Sequence, residues 1–437
     1  MSGKLSLAAA IAVATTTLSG ITHAAASWDY AEADIILNGK YDPDGGDSVD
    51  FDGYAFDAST SFNSEMFFLR GRSNSVKTND RNLSANNDLT LGEWTSIGPG
   101  FHFPTAVGGM GLDLWAQLTL DQGVLLATAV DGIGGSVGAR LNITPSFEAA
   151  LSYQMSSMDG SIGGVDTSLE PNTYTLEGLY YVTPSSAIRL GYTTGSADLD
   201  GSLSGFNKNS MDLSEIQFGF RHVFDAEKAG NNRSKPDPLS FNYFQLTYIF
   251  SGDSSIKATS TDYQFDAQRG YGIDAGFEVG DILYFAGNTT RIAYEDKDGG
   301  LALPGDNISV SDSYFFGPGA HFALTDNLEV YGQAGMDRMH FLYVPLDGYG
   351  IKVGGRVRLG MAEVNLHYLK GKVDGEYNNE TLKYDGDQYG ADVALEFSPD
   401  YPELVVSYTD GSYDLKYPNA KGNVDFKQTA IGMRQRF

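Results

Sequence analysis

Several things are missing from this chain of 437 residues, and each absence narrows the possible folds. Cysteine is absent, so no disulfide framework stabilises the chain, and its stability has to come from a sheet and its packing. No stretch keeps a 3.6-residue apolar period over three turns, which argues against amphipathic helices. Basic residues are few: 29 Lys and Arg accompany 56 Asp and Glu, for a net charge of −27. That balance argues against nucleic acid as a partner.

Residues 1–26 have the pattern of a secretory signal peptide. Lys4 supplies the positive start, Leu5–Ile21 an apolar stretch, and Ala24–Ala26 a small-residue cleavage site before Ser27. An uncleaved helical anchor is the alternative, but the apolar stretch is short and ends in the alanines. No later run reaches the roughly 18 apolar residues of a spanning helix, so residence in a membrane would require a closed β-barrel.

Alternation of apolar and polar residues with a period of two is the main structural signal. One segment places five apolar residues on a single face, namely Leu112, Leu114, Ala116, Leu118 and Leu120. Its other face carries Asp113, Trp115, Gln117 and Thr119. The first half of the chain contains ten such segments, and the second half repeats the pattern. We therefore predict an all-β fold with about ten strands in each half.

The predicted connections alternate in length. Tight turns with Pro or Gly are expected at Thr144–Ser146 and Thr183–Ser186, whereas longer polar loops are expected at Ser75–Leu91, Ser157–Asn172 and Gly371–Tyr384. Short turns at one end and longer loops at the other are typical of transmembrane barrels.

The chain also repeats itself. Gly98-Pro99-Gly100-Phe101-His102-Phe103 returns as Gly317-Pro318-Gly319-Ala320-His321-Phe322, and the segment that ends at Phe224 resembles the one that ends at Phe437. A near-constant offset indicates one tandem duplication, too long for a solenoid repeat. We predict a signal peptide at 1–26, a first β-barrel repeat at 27–224, a charged and Pro-containing periplasmic linker at 225–239, and a second repeat at 240–437.

These features together resemble the outer-membrane β-barrel proteins of Gram-negative bacteria, of OmpA/OmpX-like or porin-like type. The last strand, Thr429–Phe437, carries the resemblance most directly, since Ile431, Met433 and the carboxy-terminal Phe437 match the family's insertion signal. The resemblance implies residence in the outer membrane after export to the periplasm. It also implies contact with outer-membrane lipid and lipopolysaccharide, insertion by the barrel-assembly machinery, and possible small solutes as ligands.

The odd or even position of a residue along a predicted strand, which we call its parity, predicts whether its side chain points inward. Ten charged residues are predicted to face a lumen: Asp113, Arg140, Glu177, Arg221, Glu329, Arg356, Arg358, Glu363, Glu396 and Arg434. Six outward aromatic residues are predicted to lie in interfacial girdles: Tyr174, Tyr180, Tyr192, Tyr314, Phe316 and Tyr408. Opposite charges packed with Gly would fill two small barrels. One wide barrel of about twenty strands is the alternative.

The sequence contains few candidates for catalytic or metal-binding residues. His102 and His321 recur at matching inward positions, where a hydrogen-bonded structural role is expected, and no catalytic triad can be named. His340 follows Asp337 beside a predicted loop, at a barrel mouth. The acidic loops at 42–47 and 295–300 lack the spacing of a calcium-binding EF-hand. We therefore predict no catalytic residues, no metal and no cofactor.

The sequence favours a non-enzymatic outer-membrane barrel, either a porin-like channel or a structural barrel. A surface-binding or adhesion protein that acts through its loops is the first alternative. An outer-membrane hydrolase is the second.

Overall fold

The structure is a computed structural model, and two of the predicted segments, the signal peptide and nearly all of the linker, fall outside the part that it describes. The described residues are 27–43, 48–61, 66–78, 91–125, 128–162, 165–201, 209–224, 239–258, 262–296, 308–309, 313–341, 344–377, 380–398, 401–417 and 420–437. In these ranges no helix is long and apolar enough to cross a membrane.

Nearly all of the described chain is β-strand. The strands of the first half are β1 (Tyr30–Pro43), β2 (Val49–Ser61), β3 (Phe67–Thr78), β4 (Leu91–Val107), β5 (Met110–Leu125), β6 (Thr128–Thr144), β7 (Phe147–Ile162), β8 (Val165–Thr183), β9 (Ser186–Gly201) and β10 (Asn209–Val223). Those of the second half are β11 (Tyr243–Ala258), β12 (Asp262–Val279), β13 (Leu283–Asp296), β14 (Ile308–Ser309), β15 (Ser313–Thr325), β16 (Leu328–Phe341), β17 (Val344–Leu359), β18 (Ala362–Tyr377), β19 (Glu380–Leu395), β20 (Glu403–Tyr417) and β21 (Ala420–Arg436).

The strand pairing closes each half on itself. Neighbouring strands of the first half pair antiparallel, and β1 also pairs with β10, with Tyr30 opposite Val223. In the second half β13 pairs with β15, and β11 pairs with β21, with Tyr243 opposite Arg436. The two-residue β14 pairs with β13 and, at Ile308, with Thr128 of β6. Apart from β14, each half forms a ring of ten strands, which we call ring 1 and ring 2. A closed ring leaves no unpaired strand edge, and the prediction of an all-β antiparallel barrel is confirmed.

The faces of the strands are arranged as a membrane barrel requires. On β5, Leu118 is 74% exposed on the outside, whereas the inward Trp115 is 7% exposed. Outward Leu151, Leu176 and Ile351 are likewise exposed, and the charged side chains are mostly turned to the inside. This inverts the arrangement of a soluble protein and produces the apolar outer band of a transmembrane barrel.

The strands are longer than predicted at one end. Gly108 and Gly109 have φ of +60° and +87° and form a two-residue turn at the end where the chain also has its tight Pro turns, which we call the turn end. At the opposite, loop end, Ser157–Asn172 and Gly371–Tyr384 were expected to be loops. Both expectations are wrong, because β7–β8 and β18–β19 stay paired and leave only two residues between their strands. Polar residues continue a strand there because the ladder supplies their backbone hydrogen bonds.

The rings pack side by side along a seam made of outward side chains from both. At the turn end this seam is apolar. Phe224 of the first half stacks on Phe437 of the second, with ring centroids 4.2 Å apart. Phe244, Ile273 and Phe56 pack around this pair. These apolar side chains are buried between the two rings and not in lipid, and this packing holds the two barrels next to each other.

Nearer the loop end the seam is polar and buried. Arg291 donates hydrogen bonds to Glu93 Oε2 (3.1 Å) and to the Tyr314 hydroxyl (2.8 Å). His340 Nδ1 lies 3.2 Å from Glu93 Oε2. All four side chains are at most 5% exposed. The prediction that Tyr314 lies in a lipid-facing girdle and that His340 lies at a barrel mouth is wrong, because outward positions on these strands meet the other ring.

Candidate functional site: the interiors of the two rings

A cluster of aromatic rings and one guanidinium closes the turn end of ring 1. Trp28 enters the ring just before β1 and stacks on Phe68 with a centroid distance of 3.8 Å. Trp115 meets it edge-on at 5.5 Å, and the Arg140 guanidinium carbon lies 3.9 Å above the Trp28 ring. Arg140 Nη1 also donates to the Ser27 carbonyl at 3.1 Å. We call this group the plug of ring 1.

Ring 2 has the same plug built from different residues. Phe241 stacks on Tyr284 at 3.8 Å and meets Tyr331 edge-on at 5.4 Å. The Arg356 guanidinium carbon lies 3.9 Å above Phe241, and Arg356 Nη1 donates to the Ser240 carbonyl. Aromatic faces attract a guanidinium, and the attraction strengthens where water is excluded.

The two repeated histidines lie beside these plugs. His102 Nδ1 is 3.0 Å from Asp113 Oδ1, and His321 Nδ1 is 3.2 Å from Glu329 Oε1. Among the described residues, no Ser, Thr or Tyr hydroxyl completes a nucleophile–base–acid chain with either histidine. Each histidine bridges the aromatic plug to a buried carboxylate, which is the geometry of a structural hydrogen bond.

Above the plug, ring 1 is filled by an ion-pair network. Arg189 contacts Glu32 (3.1 Å), Asp34 (3.0 Å) and Glu177 (2.7 Å). Arg221 contacts Glu32 again (2.6 Å) and Glu177 (3.4 Å). These two arginines and three carboxylates lie on four consecutive strands of the ring, β8, β9, β10 and β1. A cavity in this ring has a volume of about 20 Å³, which is room for about one water molecule.

Ring 2 keeps only part of this network. Arg434 Nη1 contacts Glu363 (2.9 Å), and Arg436 contacts both Glu363 (2.6 Å) and Glu403 (3.0 Å). Arg358 pairs with Glu396 near the turn end. A cavity of about 130 Å³ remains above them. We call this cavity the chamber of ring 2.

Smaller neutral residues explain the chamber. Strand pairing places Gln245 and Thr247 of β11 where β1 has Glu32 and Asp34, since the β11–β21 and β1–β10 ladders share their register. On the same ladders Gln428 of ring 2 corresponds to Glu215 of ring 1. Arg434 still lies opposite Gln245 and donates to its Oε1 at 2.7 Å. Val405, however, lies opposite Gly432 where ring 1 has Arg189 opposite Gly219, so the salt bridges of Arg189 have no counterpart at this position of the described strands.

Apolar clusters close both interiors at the loop end. In ring 1 the cluster includes Ile36, Phe51, Val76 and Met158, all buried. In ring 2 it is larger and includes Phe265, Tyr294, Leu346, Tyr413 and Phe426. Each interior is therefore layered from the turn end to the loop end as an aromatic plug, a polar middle and an apolar cap. Neither described interior forms a continuous aqueous pore.

The structure brings the ten predicted lumen residues into these layers. Eight are buried: Asp113, Arg140, Glu177, Arg221, Glu329, Arg356, Glu363 and Arg434. Arg358 and Glu396 are partly buried and pair with each other. Sequence reasoning missed Trp28 and Phe241, because each precedes its first strand and so carries no periodic signal. Their place just after the predicted signal peptide and the predicted linker is the cue that the sequence offers.

The predicted insertion signal divides between two environments. Ile431 and Met433 are exposed on the outer face of β21, at 42% and 47%. Phe437 instead lies in the apolar part of the seam against Phe224. The described residues contain no cluster of three or more metal-ligating side chains; most of the two acidic loops lies outside that part.

No protein-family model matches the chain, and no curated protein matches it by sequence. Solved structures with a similar fold include OccAB4 of Acinetobacter baumannii, with 8% identity and a TM-score of 0.31 over 94% of this chain and 99% of that one. OpdQ of Pseudomonas aeruginosa has 10% identity and a TM-score of 0.30, with the same coverage. The ferric citrate transporter FecA has 10% identity and a TM-score of 0.27, over 92% of this chain and 66% of that one.

At these TM-scores the likeness decides nothing about the number of rings, the width of a pore or the solute. Those features rest on the strand pairing and on the packed interiors of this chain.

Proposed function

We propose that this chain is a non-enzymatic outer-membrane protein made of two closed ten-stranded barrels that arose by tandem duplication, with domains at 27–224 and 240–437 joined by a periplasmic linker at 225–239. The turn end, which carries Trp28 and Phe437, faces the periplasm. The single observation that carries the proposal is the separate closure of each ring, with Tyr30 opposite Val223 and Tyr243 opposite Arg436, under an apolar outer surface.

Of the two variants that the sequence left open, the packed interiors favour the structural barrel over a wide porin. Arg189 and Arg221 form buried ion pairs with carboxylates inside ring 1, and the plug and the apolar cap bound the chamber of ring 2. Charged rings line conducting pores when water fills the space between them. Here the opposite charges pair directly, which fills a small barrel and stabilises it.

Lipid contact supports the same proposal. The exposed Tyr174, Tyr180, Tyr192 and Tyr408 remain candidates for interfacial girdles at 44–57% exposure, where tyrosine sits at the level of lipid headgroups. Lipopolysaccharide, the outer-membrane lipids and the barrel-assembly machinery are the proposed partners, and nucleic acid is not one. A surface-binding function would act through loops such as 79–90 and 297–307, which lie outside the described residues.

Planar-bilayer recording of the purified full chain tests the proposal. We expect insertion, shown by heat-modifiable migration and protease resistance, without large stable conductance steps. Porin-sized steps would instead indicate that the plugs or caps leave the lumen and that the chain is a diffusion channel. Fractionation of cells that express the chain should place it in the outer membrane.

A further inference from the structure

The same carboxylate occurs at the same place inside both rings. Asp121 of β5 lies opposite Ser96 in the strand register of ring 1. Asp337 of β16 lies opposite Phe315 in the corresponding register of ring 2. Both carboxylates point inward and are buried, at 1% and 3% exposure. The surroundings of the two groups are different, and the difference defines a site.

In ring 1 a serine donates to one oxygen of the carboxylate, Asp121 Oδ2, while Asp121 Oδ1 has no hydrogen-bond partner among the described residues. Ser156 Oγ donates to Asp121 Oδ2 at 2.5 Å. Ser156 lies opposite Gly134 in the β6–β7 ladder, and a Cβ at Gly134 would overlap both partners of this hydrogen bond. The space around Asp121 is therefore full, and the group has a donor from its own ring.

In ring 2 that serine is absent. The β17–β18 ladder pairs Gly350 with Gly371, so Gly371 takes the place of Ser156. A Cβ at position 371 would overlap Asp337 Oδ2, so the carboxylate occupies the space that a side chain at this position would need. Asp337 Oδ2 has no hydrogen-bond partner among the described residues. Phe315 replaces Ser96, which removes the hydroxyl on the other side as well.

Asp337 lines the chamber of ring 2, and its unpartnered Oδ2 is buried against Gly371. Two aromatic rings lie near this carboxylate. A Cβ built on Gly350 would lie within 3.4 Å of both a Phe315 ring atom and Asp337 Oδ2. A Cβ built on Gly371 would lie 3.9 Å from a Tyr413 ring atom. A carboxylate that is buried without a donor or a cation is costly in free energy. A cation next to both aromatic rings and the carboxylate would remove that cost.

The other charged groups of the chamber do not supply this cation. Arg356 is engaged by Glu329 at 3.0 Å, and Arg434 by Glu363 at 2.9 Å. The remaining cation of the lining, Lys352, interacts with Asp274 and Asp392, which lie with it in the same chamber. After these pairings the lining keeps an excess of negative charge, and Asp337 is its uncompensated member.

We propose that the chamber of ring 2 binds a small organic cation of the ammonium type, with Asp337 as counter-ion and Phe315 and Tyr413 as aromatic walls. Gly371 makes room for the Asp337 carboxylate, and ring 1 lacks such a site because Ser156 occupies the equivalent space. The amides and hydroxyls of the chamber, such as Gln388 and Thr409, serve the polar side of the bound cation.

Tetramethylammonium chloride is the probe, and the full chain is refolded in octyl glucoside with the probe present, so that entry into a closed ring does not limit binding. Saturation-transfer NMR and the unfolding midpoint are measured over a concentration series. We expect saturable binding that raises the midpoint. Asp337→Asn and Gly371→Ser should each weaken binding at least about tenfold, as expected for loss of a charge-assisted contact or of its space.

Asp121→Asn is the matched control, since it changes the equivalent carboxylate of ring 1 and should leave binding unaltered. The neutral isostere tert-butyl alcohol should not bind saturably. Heat-modifiable migration shows that each variant is folded. The proposal would be overturned if the folded full chain showed no saturable binding, which would leave the chamber filled by water alone. It would also be overturned if Asp337→Asn bound the probe as well as the unaltered chain does, or if Asp121→Asn and Asp337→Asn lost binding to the same extent.

Discussion

Phe224 and Phe437 stack face to face, with centroids 4.2 Å apart and planes within 2° of each other. They end the two halves of the chain at equivalent positions. Ser73 Oγ and Thr289 Oγ1, a second equivalent pair, approach within 3.3 Å. An interface in which equivalent residues meet each other is isologous, as in a twofold symmetric dimer. This relationship supports a tandem duplication in which two like barrels came to lie together in one chain.

Phe437→Ala should lower the outer-membrane yield and raise periplasmic degradation. The last strand closes ring 2, and an unclosed sheet leaves backbone groups that lipid cannot satisfy. Phe224→Ala is the matched control, because it removes the same stack and leaves the carboxy terminus intact. Immunoblots of fractionated membranes measure the yield. If both variants reduce the yield equally, the effect belongs to the seam, and Phe437 is no insertion signal.

Glu93→Ala should destabilise the folded chain by about 3–5 kcal/mol, because Arg291 would remain buried in the seam without its carboxylate. Ser75 Oγ and the Val76 amide, both 2.7 Å from Glu93 Oε1, would lose their acceptor as well. Urea unfolding of the refolded protein measures the change in the free energy of unfolding.

The control for this prediction is the exposed pair of Lys427 and Asp410, which are 3.9 Å apart. Asp410→Asn should change the free energy of unfolding by about 1 kcal/mol at most. Similar losses for Glu93→Ala and Asp410→Asn would mean that the two rings do not bury the seam in the membrane.

A cysteine scan can compare the two interiors directly, since the chain has no cysteine of its own. Thr409 lines the chamber of ring 2. The equivalent Thr193 of ring 1 is 3% exposed and bonded to Thr175. Phe241→Ala opens the plug of ring 2 from the turn end, and in this background Thr409→Cys should react with a small methanethiosulfonate reagent. Trp28→Ala opens the plug of ring 1, and in that background Thr193→Cys should stay protected. Equal labelling, determined by mass spectrometry, would show that ring 1 is not filled by its salt bridges.

The sequence predicts the class of fold because period-two alternation is a local property. Leu118 and Trp115 differ in parity, and the structure places them on opposite faces, with 74% and 7% exposure. The lengths of the strands are predicted less well. Polar residues in Ser157–Asn172 carry no alternation, and only the partner strand shows that they remain in the ladder.

The seam is the part that the sequence does not predict. Arg291 and Arg338 have outward parity, and parity alone assigns outward residues to lipid. Which outward faces meet the other ring depends on how two closed barrels pack, and a single sequence contains no local signal for that. The chamber has a similar origin. Gly371 looks like any other glycine in a strand until its ladder partner and Asp337 are placed around it.

The central claim is that β1 pairs with β10 and β11 with β21, so that the chain forms two rings. Four outward residues at equivalent depth test it by disulfide formation. Ile35 lies opposite Phe218 in ring 1, and Tyr248 lies opposite Ile431 in ring 2. Paired strand positions lie about 4.5–5.5 Å apart between Cα atoms, which a disulfide can bridge. Cysteine pairs at 35/218 and 248/431 should therefore cross-link in the folded protein, and pairs at 35/431 and 218/248 should not. In a single barrel of about twenty strands β1 would pair with β21 and β10 with β11, so cross-links at 35/431 and 218/248, with none at the other two pairs, would contradict the two-ring structure.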